Sequence, residues 1–190
     1  MVVPAWLNPP LEPDVIPIRI DPGKAFGTTH PTTLLCLAAV ARHLVPGQAV
    51  VDLGTGSGIL AIAAAKLGAG PTLGVDIDSE AVRVARENVA ANGVAEQVRV
   101  EQGSLAEVLT GQFGLKEAPL VVANILAGVI CDLFEQGLAQ AVTPGGLLIL
   151  SGLLRTQGPD IRARLQWHGL QQLAQEHIEN WIAIIARRPE

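Results

Sequence analysis

The sequence predicts an α/β protein: a mostly parallel seven-stranded sheet with one antiparallel edge strand and helices on both faces. Three observations carry that reading. From Ala49 onward, short apolar runs alternate with helical patterns, and strands separated in this way pair in parallel, with right-handed crossovers placing helices on both faces. "VVDLGTGSGILAIAAAKLGA", from Val50 to Ala69, reads as a buried strand, a turn with three glycines and a helix. Near the C-terminus the rhythm breaks. There "LQQLAQEHIE" and "NWIAIIARR" are two strand candidates close enough to form a hairpin, which makes one edge strand antiparallel.

Each element has its own signal. Residues 1–20 hold five of the thirteen prolines, at Pro4, Pro9, Pro10, Pro13 and Pro17, a density that excludes helix and favours an extended, linker-like segment. Residues 21–190 then form one domain. Between Pro31 and Leu44 the apolar residues Leu34, Leu35, Leu37, Ala38, Ala41 and Leu44 recur at helical spacing, and Pro46 with Gly47 closes the helix. "AVVDL" is the first core strand, "GILAIAAAKLGA" a helix, and "TLGVDI" the second strand. "SEAVRVARENVAANG" follows as a helix with Ser79 placed to cap it. Next come strands "QVRVEQ" and "LVVANI", a helix from about Ala127 to Ala141, strand "GGLLILSG", and a helix near Thr156 to His168.

Composition narrows the function classes. A chain of 190 residues with 49% hydrophobic and 16% charged residues suits one folded domain with a sizeable core. It has no apolar run of the roughly 18 residues that a membrane span needs, and no basic segment leading an apolar stretch at its N-terminus. A cytoplasmic location is the default expectation. Cys36 and Cys131 each fall inside an apolar helical pattern, as buried free thiols do. The formal net charge is −5, and no cluster of cations exceeds the Arg187–Arg188 pair, so no phosphate-tracking surface and no direct nucleic-acid binding is expected. The four histidines show no metal-ligand spacing.

The glycine turn is the chemical centre of the sequence. In "DLGTGSG" the glycines stand at Gly54, Gly56 and Gly58, a G-x-G-x-G spacing, whereas dinucleotide dehydrogenases use G-x-G-x-x-G to seat a pyrophosphate on a helix N-terminus. Asp52 precedes the turn, where a phosphate would meet like charge. A nucleoside carrying an amine or a cation fits better, and S-adenosyl-L-methionine, with its amino group, its sulfonium and no phosphate, is such a ligand. A nucleoside lying across this unit should find an acidic residue at the end of the next strand. Asp76 lies there, 22 residues after Gly54, and a carboxylate can accept from two ribose hydroxyls at once. The competing role for Asp76 and for Asp78 is capping of the helix that follows.

"VVDLGTGSG" followed by "LGVDID" resembles motifs one and two of the class I S-adenosylmethionine-dependent methyltransferases. Three further stretches narrow the likeness: "DPGKAFGTTHPTT", "QGSL" and "VVANILAG". Together they resemble the bacterial methyltransferases of ribosomal protein L11, the PrmA type, over about Val3 to Arg187. The resemblance implies a Rossmann-like fold and methyl transfer to lysine side chains, and possibly the terminal amine, of that ribosomal protein. It implies cofactor contacts at Thr33, Gly54, Gly56, Asp76 and Asn124, with Ser104 near the adenine and Phe26 in the loop over the methionine part. Gly54 allows close backbone approach, Asp76 would hold the ribose, the Thr33 hydroxyl can reach the methionine carboxylate, and Asn124 can present its carbonyl oxygen to an incoming amine. His30 is a candidate proton acceptor, because lysine, with a pKa near about 10.4, must lose a proton before it attacks. Its competing role is a hydrogen bond that orders the loop.

The chain departs from the family pattern twice. It starts at the linker, so the expected N-terminal recognition domain of the family is missing from it. The loop reads "FGTTHPTT" where the pattern F-G-T-G-x-H-x-T-T has one residue more, a difference worth up to about 3.5 Å of reach. Another protein lysine or a small molecule is the alternative substrate, and a cofactor-binding domain with little turnover is the alternative activity. The "NILA" stretch has no ring to stack a nucleobase, unlike the N-P-P-Y of methyltransferases that act on bases or glutamine amides.

Overall fold

The computed structural model describes residues 1–4, 7, 10, 12, 15–21 and 30–190. Its strands are β1 (Val2–Pro4), β2 (Ile18–Ile20), β3 (Val50–Leu53), β4 (Thr72–Asp76), β5 (Val98–Gln102), β6 (Ala118–Asn124), β7 (Val142–Leu154), β8 (Gln171–Ile178) and β9 (Trp181–Arg187). Its helices are α1 (Pro31–His43), α2 (Ile59–Lys66), α3 (Ser79–Ala91), α4 (Leu105–Thr110), α5 (Ala127–Glu135) and α6 (Gly158–Trp167), with single 3-10 turns at Leu138–Ala141 and Arg155–Gln157. No helix among the described residues is long and apolar enough to cross a membrane.

Strands β3 to β9 form one sheet in the order β5-β4-β3-β6-β7-β9-β8. The first five positions are parallel, and β9 runs against both β7 and β8, which confines antiparallel pairing to one edge as the C-terminal hairpin predicts. Side chains alternate between the faces with the period of a strand. On β6, Leu120 and Val122 point to one core with Cys36, Val40, Ile62 and Val89, while Val121 and Ala123 point to the other with Leu105, Ile130, Phe134 and Leu165. Helices α1 to α3 thus cover one face and α4 to α6 the other. From β3 the chain winds outward through β4 to β5 and then returns to β6, beside β3. In open α/β sheets this reversal leaves a crevice at the carboxyl ends of the strands, where ligands bind.

Three local expectations are corrected. Helix α3 is capped by Asp78 rather than Ser79. Asp78 is extended, with φ −83° and ψ 115°, and its Oδ1 accepts from the Glu80 N–H at 2.9 Å, so Ser79 is already the first helical residue. The helix expected to reach Ala141 ends at Glu135, because Gly137 takes φ 100° and the chain restarts as a 3-10 turn. Helix α4 was not expected. Its signal was the S-x-x-E of Ser104 to Glu107, a capping box in which Ser104 accepts from Ala106 N–H while the Glu107 carboxylate accepts from Ser104 N–H at 2.7 Å. Near the N-terminus, β1 and β2 pair in parallel, and Ile18 and Ile20 are buried in the core, with β2 packed against α2 and α3.

One buried charge ties β3 to α2. Asp52 is 1% exposed, and its Oδ2 accepts from the Thr55 hydroxyl at 2.7 Å and from the Ala61 N–H at 3.3 Å, one of the unpaired donors in the first turn of α2. Burial pushes the Asp52 carboxyl up to about 6, with the nearby Asp76 charge adding a little and the hydrogen bonds opposing it. The native state therefore holds this proton more tightly than the unfolded chain. The contribution is present at low pH and is lost as pH rises from about 4 through about 6, at up to about 1.4 kcal/mol per pH unit. In urea titrations, the stability of Asp52→Asn relative to the wild type should rise across that window and level off above it; a difference independent of pH would show that Asp52 does not titrate there.

At the crevice, Gly152 of β7 has φ +83°, and a Cβ there would overlap the Ile125 carbonyl oxygen and stand 2.7 Å from its carbon. Gly93 has φ +68° and open space around it. Gly93→Ala should cost only the left-handed penalty of about 1–2 kcal/mol. Gly152→Ala should cost clearly more and lower the Tm by at least about 5 °C, given roughly 2–4 °C per kcal/mol at this size; equal melting shifts would refute the backbone clash.

Candidate active site at the switch between β3 and β6

The residues picked from sequence that lie within the described structure gather at the carboxyl end of the sheet. Gly54 follows β3 directly, with φ +71°. A Cβ at Gly54 would overlap Ile125 Cγ2, so glycine is required both by the backbone conformation and by the close approach of the chain beyond β6. Asp76 ends β4. Its Oδ2 accepts from the Gly56 N–H at 2.9 Å and its Oδ1 from the Asp78 N–H at 3.0 Å. Asp76 therefore does not cap α3. It braces the glycine turn from the neighbouring strand, and each oxygen retains a second lone pair for another donor.

Two cavities open here. The first, about 340 Å³, is lined by Leu53, Gly54, Asp76, Ser104, Ile125 and Leu126 among others. Its character is apolar with a carboxylate on one wall, as a nucleoside pocket requires. The second, about 390 Å³, is lined by His30, Thr33, Asn124, Ile125, Leu126 and Trp181 among others. Ile125 and Leu126 belong to both, and Leu126 is 73% exposed. A larger concavity of about 1010 Å³ lies along the β5 edge and contains none of these residues. Arg86 and Arg99 on its wall both pair with Glu101, which leaves the acidic and glycine chemistry at the switch point.

In the second cavity, Asn124 at the end of β6 donates from Nδ2 to Thr33 Oγ1 at 3.3 Å. The contact joins residues 91 positions apart in the chain and leaves the Asn124 carbonyl oxygen as the acceptor. His30 caps α1: its Nδ1 lies 2.8 Å from Thr32 Oγ1 and accepts, more weakly, from the Thr32 N–H at 3.4 Å. With Nδ1 used as an acceptor, the ring proton sits on Nε2. The ring meets Trp181 edge to face, with centroids 4.8 Å apart.

Sequence reasoning missed Trp181. It was read only as part of a strand, yet β9 begins there, and because β9 is antiparallel its first residue lies at the same sheet end as the last residues of β3 and β6. An aromatic opening a strand after a tight turn, in a chain that is only 3% aromatic, was the available signal. Asp52 is buried and lines neither cavity. It lies under the turn with its Oδ2 spent on Thr55 and Ala61, so it acts on a ligand only through its field. Phe26, and the Thr28–Thr29 part of the shortened loop, lie outside the described residues. Ser104 lines the first cavity while capping α4.

Comparison with known proteins agrees with this geometry. A protein from Chloroflexus aurantiacus named ribosomal protein L11 methyltransferase is 45% identical over 212 residues, covering 100% of this chain and 64% of that protein. One of the same name from Halalkalibacterium halodurans is 43% identical, covering 98% of this chain and 58% of its own length. The chain thus spans about three-fifths of the length of these relatives. A solved structure described as ribosomal protein L11 methylase from Lactobacillus delbrueckii subsp. bulgaricus superposes with a TM-score of 0.88 at 36% identity, covering all of this chain and 93% of that one. An RNA methyltransferase from Salinibacter ruber, solved with S-adenosyl-L-homocysteine, shares the fold at TM-score 0.61 and 22% identity. The PrmA family model, described as ribosomal protein L11 methyltransferase, matches residues 1–189, and the chain belongs to that family.

Proposed function

We propose that this chain is the catalytic part of an S-adenosylmethionine-dependent protein methyltransferase acting on amines, the lysine side chains and the terminal amine, of ribosomal protein L11. The observation that carries the reading is the pair of cavities meeting at Ile125 and Leu126, one built for a nucleoside and one ending in Asn124, Thr33 and Trp181. Residues 21–190 form the domain that does this work, in the cytoplasm, where ribosomal proteins are made.

The site fits the cofactor. Gly54 provides a surface without a Cβ for close approach of the methionine part, and Asp76 has lone pairs to accept from ribose hydroxyls. Ser104 and Leu105 border the adenine end, and the Thr33 hydroxyl reaches toward the carboxylate. The buried Asp52 carboxylate favours a cation across the turn and disfavours phosphate. When bound, the cofactor supplies a methyl group on a sulfonium, open to attack by a neutral amine.

The chain's own residues then hold the acceptor. Asn124 Oδ1 accepts a hydrogen bond from the amine and so aims its lone pair away from itself, toward the first cavity. Trp181, Leu126 and Ile125 exclude water around the alkyl part. In-line placement of this kind accounts for much of the rate in a transfer between two bound groups. His30 uses Nδ1 in the α1 cap; the amine proton leaves to solvent before attack.

Two measurements test this reading. Asp76→Ala should raise the Kd for S-adenosylhomocysteine in calorimetry about tenfold or more, since hydrogen bonds to a charged group are worth about 1.5–3 kcal/mol each; an unchanged Kd would misplace the ribose. Labelled methyl from S-adenosylmethionine should be incorporated into purified ribosomal protein L11 by the chain. Absence of label, with a full-length relative active in parallel, would refute the substrate and favour the binding-domain reading instead.

A further inference from the structure

Two asparagines, Asn88 on α3 and Asn92 at its C-cap, do something the catalytic reading does not use. Asn88 is 2% exposed. Its Oδ1 accepts from the Asp21 N–H at 2.8 Å, and its Nδ2 donates to the Asp21 carbonyl at 2.8 Å and to the Ser57 carbonyl at 2.9 Å. One turn later, Asn92 makes the matching pair with Arg19: Oδ1 accepts from its N–H at 2.9 Å, and Nδ2 donates to its carbonyl at 2.6 Å and to the Asn88 carbonyl at 2.8 Å. The match is geometric. Four residues of helix rise about 6 Å, and two residues of strand rise about 6.6 Å, so two amides at i and i+4 can pair with alternate residues along β2 as a neighbouring strand would.

The two differ in one respect. Asn92 ends at its own helix, whereas Asn88 reaches Ser57, inside the "DLGTGSG" turn. A single buried amide therefore joins three backbones: α3, the glycine turn, and the chain at Asp21, one residue past β2. Helix α3 also packs against the turn directly, since the nearest atom to a Cβ built on Gly58 is Ala85 Cβ at 3.2 Å.

We propose that Asn88 is a positioning residue: it locks the glycine turn to the backbone at Asp21, and so fixes the wall that the turn gives to the first cavity. The proposal rests on the methyltransferase reading for its effect on the cofactor, but the mechanical link stands on the hydrogen bonds alone. Asn92 is its internal control, because it holds β2 by the same pair of bonds without touching the turn.

The test compares Asn88→Ala, the near-isosteric Asn88→Asp and Asn92→Ala by hydrogen exchange and by S-adenosylhomocysteine calorimetry. Asn88→Asp retains an acceptor for the Asp21 N–H and cannot donate to Ser57, so it reports on the link even where the alanine variant folds poorly. Both Asn88 variants should speed exchange in the peptide spanning residues 54–60 about tenfold, the scale of one lost buried hydrogen bond, and raise the Kd by a similar factor. Asn92→Ala should speed exchange only around β2 and leave the Kd within about twofold. Equal effects of Asn88 and Asn92 variants on the turn, or no effect of either, would overturn the proposal and leave Asn88 as a clamp for β2. A wild-type chain that binds no S-adenosylhomocysteine would sink the cofactor reading, while the exchange data would still decide the link.

Discussion

The architecture of the site depends on one close approach. Ile125, just past β6, lies against Gly54 with its side chain and against Gly152 with its carbonyl group, and its N–H donates to the Ser151 carbonyl at 3.2 Å. Three parallel strands thereby end at one point with no room for a Cβ on either flank. The packing sets how far the chain beyond β6 stands from the glycine turn, and with it where Asn124 and Leu126 fall. Both cavities inherit their dimensions from this contact, since Ile125 forms part of each wall.

Negative charge at the site is divided by depth. Asp52 is buried, and burial raises its proton affinity. Asp76 sits nearer the surface, with both oxygens already receiving backbone N–H groups, so it holds the turn and is open to further donors without rearranging. A ligand is met by a carboxylate fixed in orientation beforehand, which lowers the ordering cost of binding.

Much of this was legible in the chain. Periodicity located every strand of the main sheet, because the inner strands are continuous apolar runs while the edge strands β5 and β8 alternate, and the hairpin was visible in the break of rhythm after His168. Gly54, Asp76, Asn124 and Thr33 were found by motif and spacing, and the fold brings them to one sheet end. What sequence reasoning missed depends on partners distant in the chain. Asn88 reads as an ordinary polar helix residue until Asp21 and Ser57 are placed beside it. Trp181 reads as a strand aromatic until the direction of β9 is known. The break at Gly137 was a local signal that apolar periodicity was allowed to run past, and the capping box at Ser104 was a local signal read only as a turn.

The reversed direction of β9 also divides the labour of adaptation. In the parallel part of the sheet, every residue delivered to the carboxyl end comes after a strand whose position is fixed by a crossover helix. Trp181 arrives by a tight turn through Glu179 and Asn180, with Glu179 at φ 53°, and neither turn residue lines the first cavity. Lengthening or resequencing it would reshape the Trp181 wall of the second cavity while β3, β4 and their glycine turn stay as they are. The second cavity can therefore change shape while the first keeps its own.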